Sequence, residues 1–122
     1  MNPEEILAQV AKEVAVCKRC NLHYSRKNAV PGEGPIHPEM MFIGEGPGFH
    51  ENEQGRPFVG AAGNFLVQLL ASIGKKREEV FIGNVVKCRP PNNRDPLPEE
   101  LTACSEYLER QILAINPLVI VT

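Results

Sequence analysis

Three short apolar runs, residues 40–44, 80–86 and 118–121, are separated by two stretches of helical periodicity, and this alternation restricts the fold more than any other feature of the chain. Parallel strands need long crossover connections, usually helices, and such crossovers are right-handed. The predicted architecture is therefore α/β, a three-layer α/β/α sandwich around a parallel central sheet. In such sheets ligands bind beyond the carboxyl ends of the strands. The segments to inspect for chemistry are thus the loop after Gly44 and the end of the second strand near Asn84.

The helices follow from local signals. Asn2 is placed to cap a helix that has Pro3 in its first turn, Glu4 and Glu5 at the positive end of its dipole, and Ile6, Val10 and Val14 on one side up to about Val16. A second helix is predicted over residues 61–73, with Phe65, Leu66, Leu69, Leu70 and Ile73 on its buried side and Gly74 as its cap. A third follows the proline-rich loop 89–98 and carries Leu101, Cys104, Leu108, Ile112 and Ile115 at helical spacing. Residues 17–38 have no periodicity and need something other than a core to hold them. With 122 residues and 43% hydrophobic content, one domain over residues 1–122 is expected. Because the chain stops within its third predicted strand, that domain is expected to be cut short at its C-terminal end.

The formal net charge of −2 gives no global mark of a nucleic-acid binder, so local chemistry must carry any such argument. Lys75, Lys76 and Arg77, like the other basic groups, read as an ordinary solvated face, and His23, His37 and His50 as surface residues. No apolar run is long enough to span a membrane and the start lacks a signal-peptide pattern, so a cytoplasmic protein is expected. In that compartment cysteines serve as metal ligands more readily than as disulfides. Cys17 and Cys20 form a Cys-x-x-Cys pair, and Cys88 and Cys104 complete a set of four thiols suited to zinc or to an iron–sulfur cluster. Spacing alone does not separate the two, and Cys104 taken singly reads equally well as a small core residue.

Three further motifs point to ligand chemistry. The loop Gly44-Glu45-Gly46-Pro47-Gly48 follows a strand and lets backbone approach a bound group. Phe58, held between glycines and a proline, can stack on a flat ligand, although it reads equally well as a loop anchor. Asn84 lies in an apolar strand, where an amide either satisfies backbone groups or reads a ligand edge such as O4 and N3–H of uracil.

Taken in order, Cys-x-x-Cys, Gly-Glu-Gly-Pro-Gly, Gly-Arg-Pro-Phe-Val-Gly-x-Ala-Gly, Asn-x-Val-Lys-Cys-Arg-Pro-Pro-x-Asn-Arg and a further cysteine, the chain resembles the N-terminal part of the family-four, iron–sulfur uracil-DNA glycosylases. The resemblance implies a uracil-DNA glycosylase-like fold and a four-iron four-sulfur cluster on Cys17, Cys20, Cys88 and Cys104, with zinc as the lesser alternative. It implies that Glu45 handles the attacking water, that Phe58 stacks on extruded uracil, that Asn84 reads its edge, and that Gly44 and Gly46 shape the pocket wall. The reaction implied is hydrolysis of the N-glycosidic bond of uracil in DNA, in base excision repair, by a monomer that meets no membrane; a sliding-clamp contact is not legible. Two departures accompany the likeness. Asn52 stands where the family commonly has an acidic residue, and the family's later His-Pro-Ser type motif does not occur in these residues. The competing readings are a metal-stabilised nucleic-acid-binding module without catalysis and a related glycosylase of broader base range. Glu45 argues against both, since a carboxylate does not favour phosphate and the neighbouring cluster-bearing family typically has an apolar residue there.

Overall fold

The computed structural model describes residues 1–122. Three parallel strands, β1 (Met40–Gly44), β2 (Phe81–Asn84) and β3 (Val119–Val121), lie in the order β2-β1-β3. The α-helices are α1 (Pro3–Ala15), α2 (Phe49–Gln54), α3 (Ala61–Ser72) and α4 (Pro98–Ile115). The register pairs Met41 with Phe81 and Phe42 with Ile82, so alternate side chains feed opposite faces. Met41 and Phe81 join Leu7 of α1 and Leu108, Ile112 and Ile115 of α4. Met40, Phe42, Val80 and Ile82 meet Leu66 and Leu70 of α3 on the other face. These two cores make the predicted three-layer α/β sandwich. No helix is long and apolar enough to cross a membrane.

Local expectations hold where side chains act on their own backbone. The Asn2 side chain accepts the Glu5 N–H at 2.8 Å and starts α1. Gly74, at φ +75°, follows α3 in the left-handed conformation that few other residues tolerate. The second strand is shorter than its apolar run, because pairing with β1 ends at Asn84. Beyond it the Val85 and Val86 N–H groups donate to the carbonyls of Gly44 and Glu45, which extends the ladder into the glycine-rich loop. The covered stripe of α3 is narrower than its apolar sequence: Leu66 and Leu70 are buried, whereas Phe65, Leu69 and Ile73 are exposed. A three-stranded sheet offers that helix only one contact line.

The two edges of the sheet differ. Glu33 forms an antiparallel bridge with Ile82, and Val30 N–H donates to the Lys87 carbonyl, so the irregular segment straps the β2 side. The β3 side has no such strap, and Leu118, Val119 and Ile120 are exposed beside it. Met41 lies fully buried on the central strand. Met41→Ala is expected to cost about 2–5 kcal/mol of unfolding free energy in a urea titration, with little change in the slope of the transition.

Candidate functional site

A cleft of about 280 Å³ opens at the carboxyl ends of β1 and β2 and is lined by Gly44, Glu45, Gly46, Phe58 and Asn84 among others. All five residues that the motifs single out therefore meet in one place. Their contacts explain the glycines. A Cβ on Gly44 would lie 2.5 Å from Asn84 Oδ1 and 2.7 Å from Phe58 Cζ, and one on Gly46 would lie 2.6 Å from Val86 Cγ2. Gly44 thus lets the amide and the ring close over the strand end. Phe58 packs against Leu66 and its neighbours, as a loop anchor does, and also lines the cleft.

Asn84 is 1% exposed, and its Nδ2 is the one buried side-chain nitrogen or oxygen in the chain without a hydrogen-bond partner. A buried donor left unpaired costs about 1–3 kcal/mol. That cost is relieved by a ligand that brings an acceptor into the cleft. Glu45 is exposed at the same cleft.

Sequence reasoning missed what holds the cleft together. The Glu51 carboxylate accepts the Gly48 N–H through Oε1 at 3.0 Å and the Val59 and Gly60 N–H groups through Oε2 at 2.9 and 3.0 Å. Partial burial alone would raise its pKa, but the N–H donors of Gly60, Val59 and Gly48 outweigh that effect and hold it below the usual carboxylate range. Glu51 belongs to α2, a helix that the sequence reading passed over as loop because it has no apolar stripe. The available signal was Glu51 three residues after Gly48, the spacing of a capping carboxylate. Asn52 lies outside the cleft: buried, it accepts the Lys27 N–H at 2.9 Å and ties the irregular segment to α2.

The four cysteines surround a second, separate pocket with Leu22, His23, Arg26, Lys87 and Tyr107. All are free thiols; Cys88 and Cys104 are buried, Cys17 and Cys20 half-buried. Free space between them is about 10 Å³, and no three His, Cys, Asp or Glu side chains are arranged to hold a single ion. Arg26 Nη1 donates to Cys88 Sγ at 3.2 Å and the Lys87 N–H to Cys104 Sγ at 3.2 Å, contacts that favour thiolate sulfur. Burial pushes the Cys104 thiol up to about 11 and, despite the Arg26 guanidinium beside it, holds the Cys88 thiol above its ordinary value. Three expectations need correction here, since His23 is not at the surface and neither Arg26 nor Lys87 belongs to a solvated basic face. His23 is no surface residue, because it is half-buried at this pocket with Nδ1 2.7 Å from the Cys20 carbonyl. Arg26 is likewise half-buried, with Nη1 on the Cys17 carbonyl at 2.7 Å. Next to the pocket, Lys87 is 1% exposed and donates through Nζ to the Asn84 carbonyl and to Gln111 Oε1, each at 2.7 Å.

The family model of the uracil DNA glycosylase superfamily matches residues 31–122. A type-4 uracil-DNA glycosylase of Sulfurisphaera tokodaii is 58% identical over 117 residues, which are 95% of this chain and 53% of the relative. Its counterpart in Thermotoga maritima is 53% identical over 118 residues, 97% of this chain and 62% of the relative. A type-5 uracil-DNA glycosylase of Thermus thermophilus is 38% identical over 97 residues, 68% of this chain and 44% of the relative. The chain thus spans 53% and 62% of the length of these two type-4 relatives.

The Glu51 contacts carry a pH dependence. A carboxyl whose folded pKa is depressed contributes fully above its unfolded value, about 4.3, and loses that contribution as pH falls through the lower folded value. In urea titrations across pH 7 to 3, the stability gap between the native protein and Glu51→Gln is expected to be widest at neutral pH and to shrink below about pH 4.

Proposed function

The chain belongs to the uracil-DNA glycosylase superfamily, matching the N-terminal part of its type-4 members, and from that premise we propose that its cleft receives uracil flipped out of DNA and serves hydrolysis of the N-glycosidic bond in base excision repair. The observation that carries this reading is the unpartnered, buried Nδ2 of Asn84 beside the Phe58 ring. Uracil O4 accepts from that donor, whereas the amino group of cytosine presents a second donor and leaves it unpaired. Stacking on Phe58 contributes about 1–3 kcal/mol and is realised only for a base that the amide admits, so removing either group lowers the preference for uracil.

Glu45 is the catalytic residue in this reading. Its carboxylate orients water toward the sugar and stabilises the positive charge that develops as uracil leaves as an anion. Gly44 and Gly46 keep the wall of the cleft low enough for the base to enter against Phe58. The cost of unstacking the base, a few kcal/mol, is lowest at a mismatched uracil. The enzyme acts as a cytoplasmic monomer in this reading, with DNA as its partner.

The thiol chemistry supports Cys17, Cys20, Cys88 and Cys104 as the holders of a four-iron four-sulfur cluster. The donor set is all sulfur, the four line one pocket, and N–H groups already point at three of the sulfurs, those of Cys17, Cys88 and Cys104. A zinc ion would need all four thiolates about 2.3 Å away, a tighter convergence than the wider ring required by a cluster. When bound, the group would cross-link the irregular segment to α4 and to the segment after β2, at a site distinct from the cleft. Cys88→Ser is expected to lose the visible absorption of the purified protein and most of its soluble yield; a coloured, soluble variant would refute this ligand set.

The deciding experiment measures uracil release from an oligonucleotide with a single uracil, against its cytosine twin, with binding of both followed in parallel. Preference for the uracil strand in binding or release supports the reading, and equal behaviour toward both strands in each assay overturns it. Where release occurs, Glu45→Ala is expected to abolish it while retaining binding; full release by that variant would remove Glu45 from the mechanism.

A further inference from the structure

Phe58 has a φ of +51°, in the left-handed region that bulky residues seldom occupy, so something outside the loop must hold it there. Arg77 supplies that hold. Its Nη1 donates to the Phe58 carbonyl at 2.6 Å and its Nη2 to the carbonyl of Pro57, so one planar guanidinium grips two successive peptide groups. The Arg77 side chain is only 17% exposed, with Nη2 3.5 Å from Glu33 Oε2, and Glu33 in turn holds Arg56 through two bonds. This is not the solvated face expected for the basic run at residues 75–77. The opposite side of the loop is held by Glu51, which takes the N–H groups of Val59 and Gly60.

Gly63 completes the arrangement. A Cβ there would lie 1.8 Å from the Phe58 carbonyl oxygen, so that carbonyl presses onto the first turn of α3, while Arg77, in the turn between α3 and β2, donates to the same oxygen. Carbonyls are fixed by a cation, N–H groups by an anion, and the ring between them is left over Gly44.

We propose that Arg77 is the positioning residue for the stacking ring: its grip on the carbonyls of Pro57 and Phe58 keeps Phe58 in its left-handed conformation across the base-binding cleft. The proposal rests on the reading of that cleft as a uracil site. Arg77 does not line the cleft; it acts through the loop that carries Phe58.

The test is a double-mutant cycle with Arg77→Met and Phe58→Ala, read in two ways. One readout is the NMR shift of Gly44, which feels the ring current of Phe58 whether or not DNA is present. The other is the preference for a uracil-containing over a cytosine-containing oligonucleotide, by fluorescence anisotropy. Arg77→Met is expected to move the Gly44 resonance most of the way to its position in Phe58→Ala and to lower the uracil preference about tenfold. In the Phe58→Ala background it should add less than a further factor of about two, the non-additivity of residues that act as one unit. An unmoved Gly44 resonance, or losses that multiply, would overturn the proposal. If Arg77→Met does not fold, Arg77→Lys, which keeps the charge near Glu33 but lacks the two-pronged grip, is read by the same resonance: displacement supports the proposal and constancy overturns it. Should Phe58→Ala keep full uracil preference, the uracil reading of the cleft fails, while the Gly44 resonance still decides the role of Arg77.

Discussion

The cleft depends on one carboxylate. Glu51 takes N–H groups from Gly48 at the end of the first loop and from Val59 and Gly60 in the second, so two segments without regular structure are fixed to each other through a single side chain of α2. Glycine-rich loops lose much conformational freedom on folding, and each of these is too short and too open to bury a core of its own. A charge-assisted contact to three backbone donors is among the stronger ways of offsetting that loss. Gly44 could not lie under the Phe58 ring, nor Phe58 beside Asn84, if the second loop drifted from the first.

A second organising centre lies at the other end of the polar interior. The cysteine pocket joins α1, α4 and the segment after β2, and its apolar surroundings include Val10, Val14, Leu22, Val86 and Tyr107. Between the two centres stands Lys87, an ammonium with almost no solvent, bonded to the carbonyl of Asn84 and to Gln111 Oε1. Gln111 passes the link on through Nε2 to the Pro31 carbonyl at 2.6 Å, in the strap that covers β2. Burial lowers the Lys87 pKa to about 8, and the ammonium finds in these acceptors the hydrogen bonds that a buried charge requires. The backbone that carries Asn84 is in this way tied to the framework around the thiols.

Much of this was legible in the chain itself. The three strands, the capping by Asn2 and the long helix through Cys104 follow from periodicity and cap chemistry, which act over three or four residues. The five cleft residues were legible because they are of unusual type for their place: glycines after a strand, a phenylalanine in a loop, an amide in an apolar run. What was not legible depends on distant backbone. Arg26, Arg77 and Glu51 look like any charged surface residue until the fold brings carbonyls or N–H groups to them across 9, 19 and 8 positions of sequence. The stripe of α3 was overread for a related reason: hydrophobicity states which side can be buried, but the width of the sheet decides how much is.

The closure of the β2 edge has a consequence for exchange with solvent. The Ile82 N–H donates to the Glu33 carbonyl at 2.8 Å and the Glu33 N–H to the Ile82 carbonyl at 2.9 Å. These two amides meet water only when the strap lifts. Their rate of deuterium uptake therefore reports the opening of the irregular segment rather than the unfolding of the sheet beneath it.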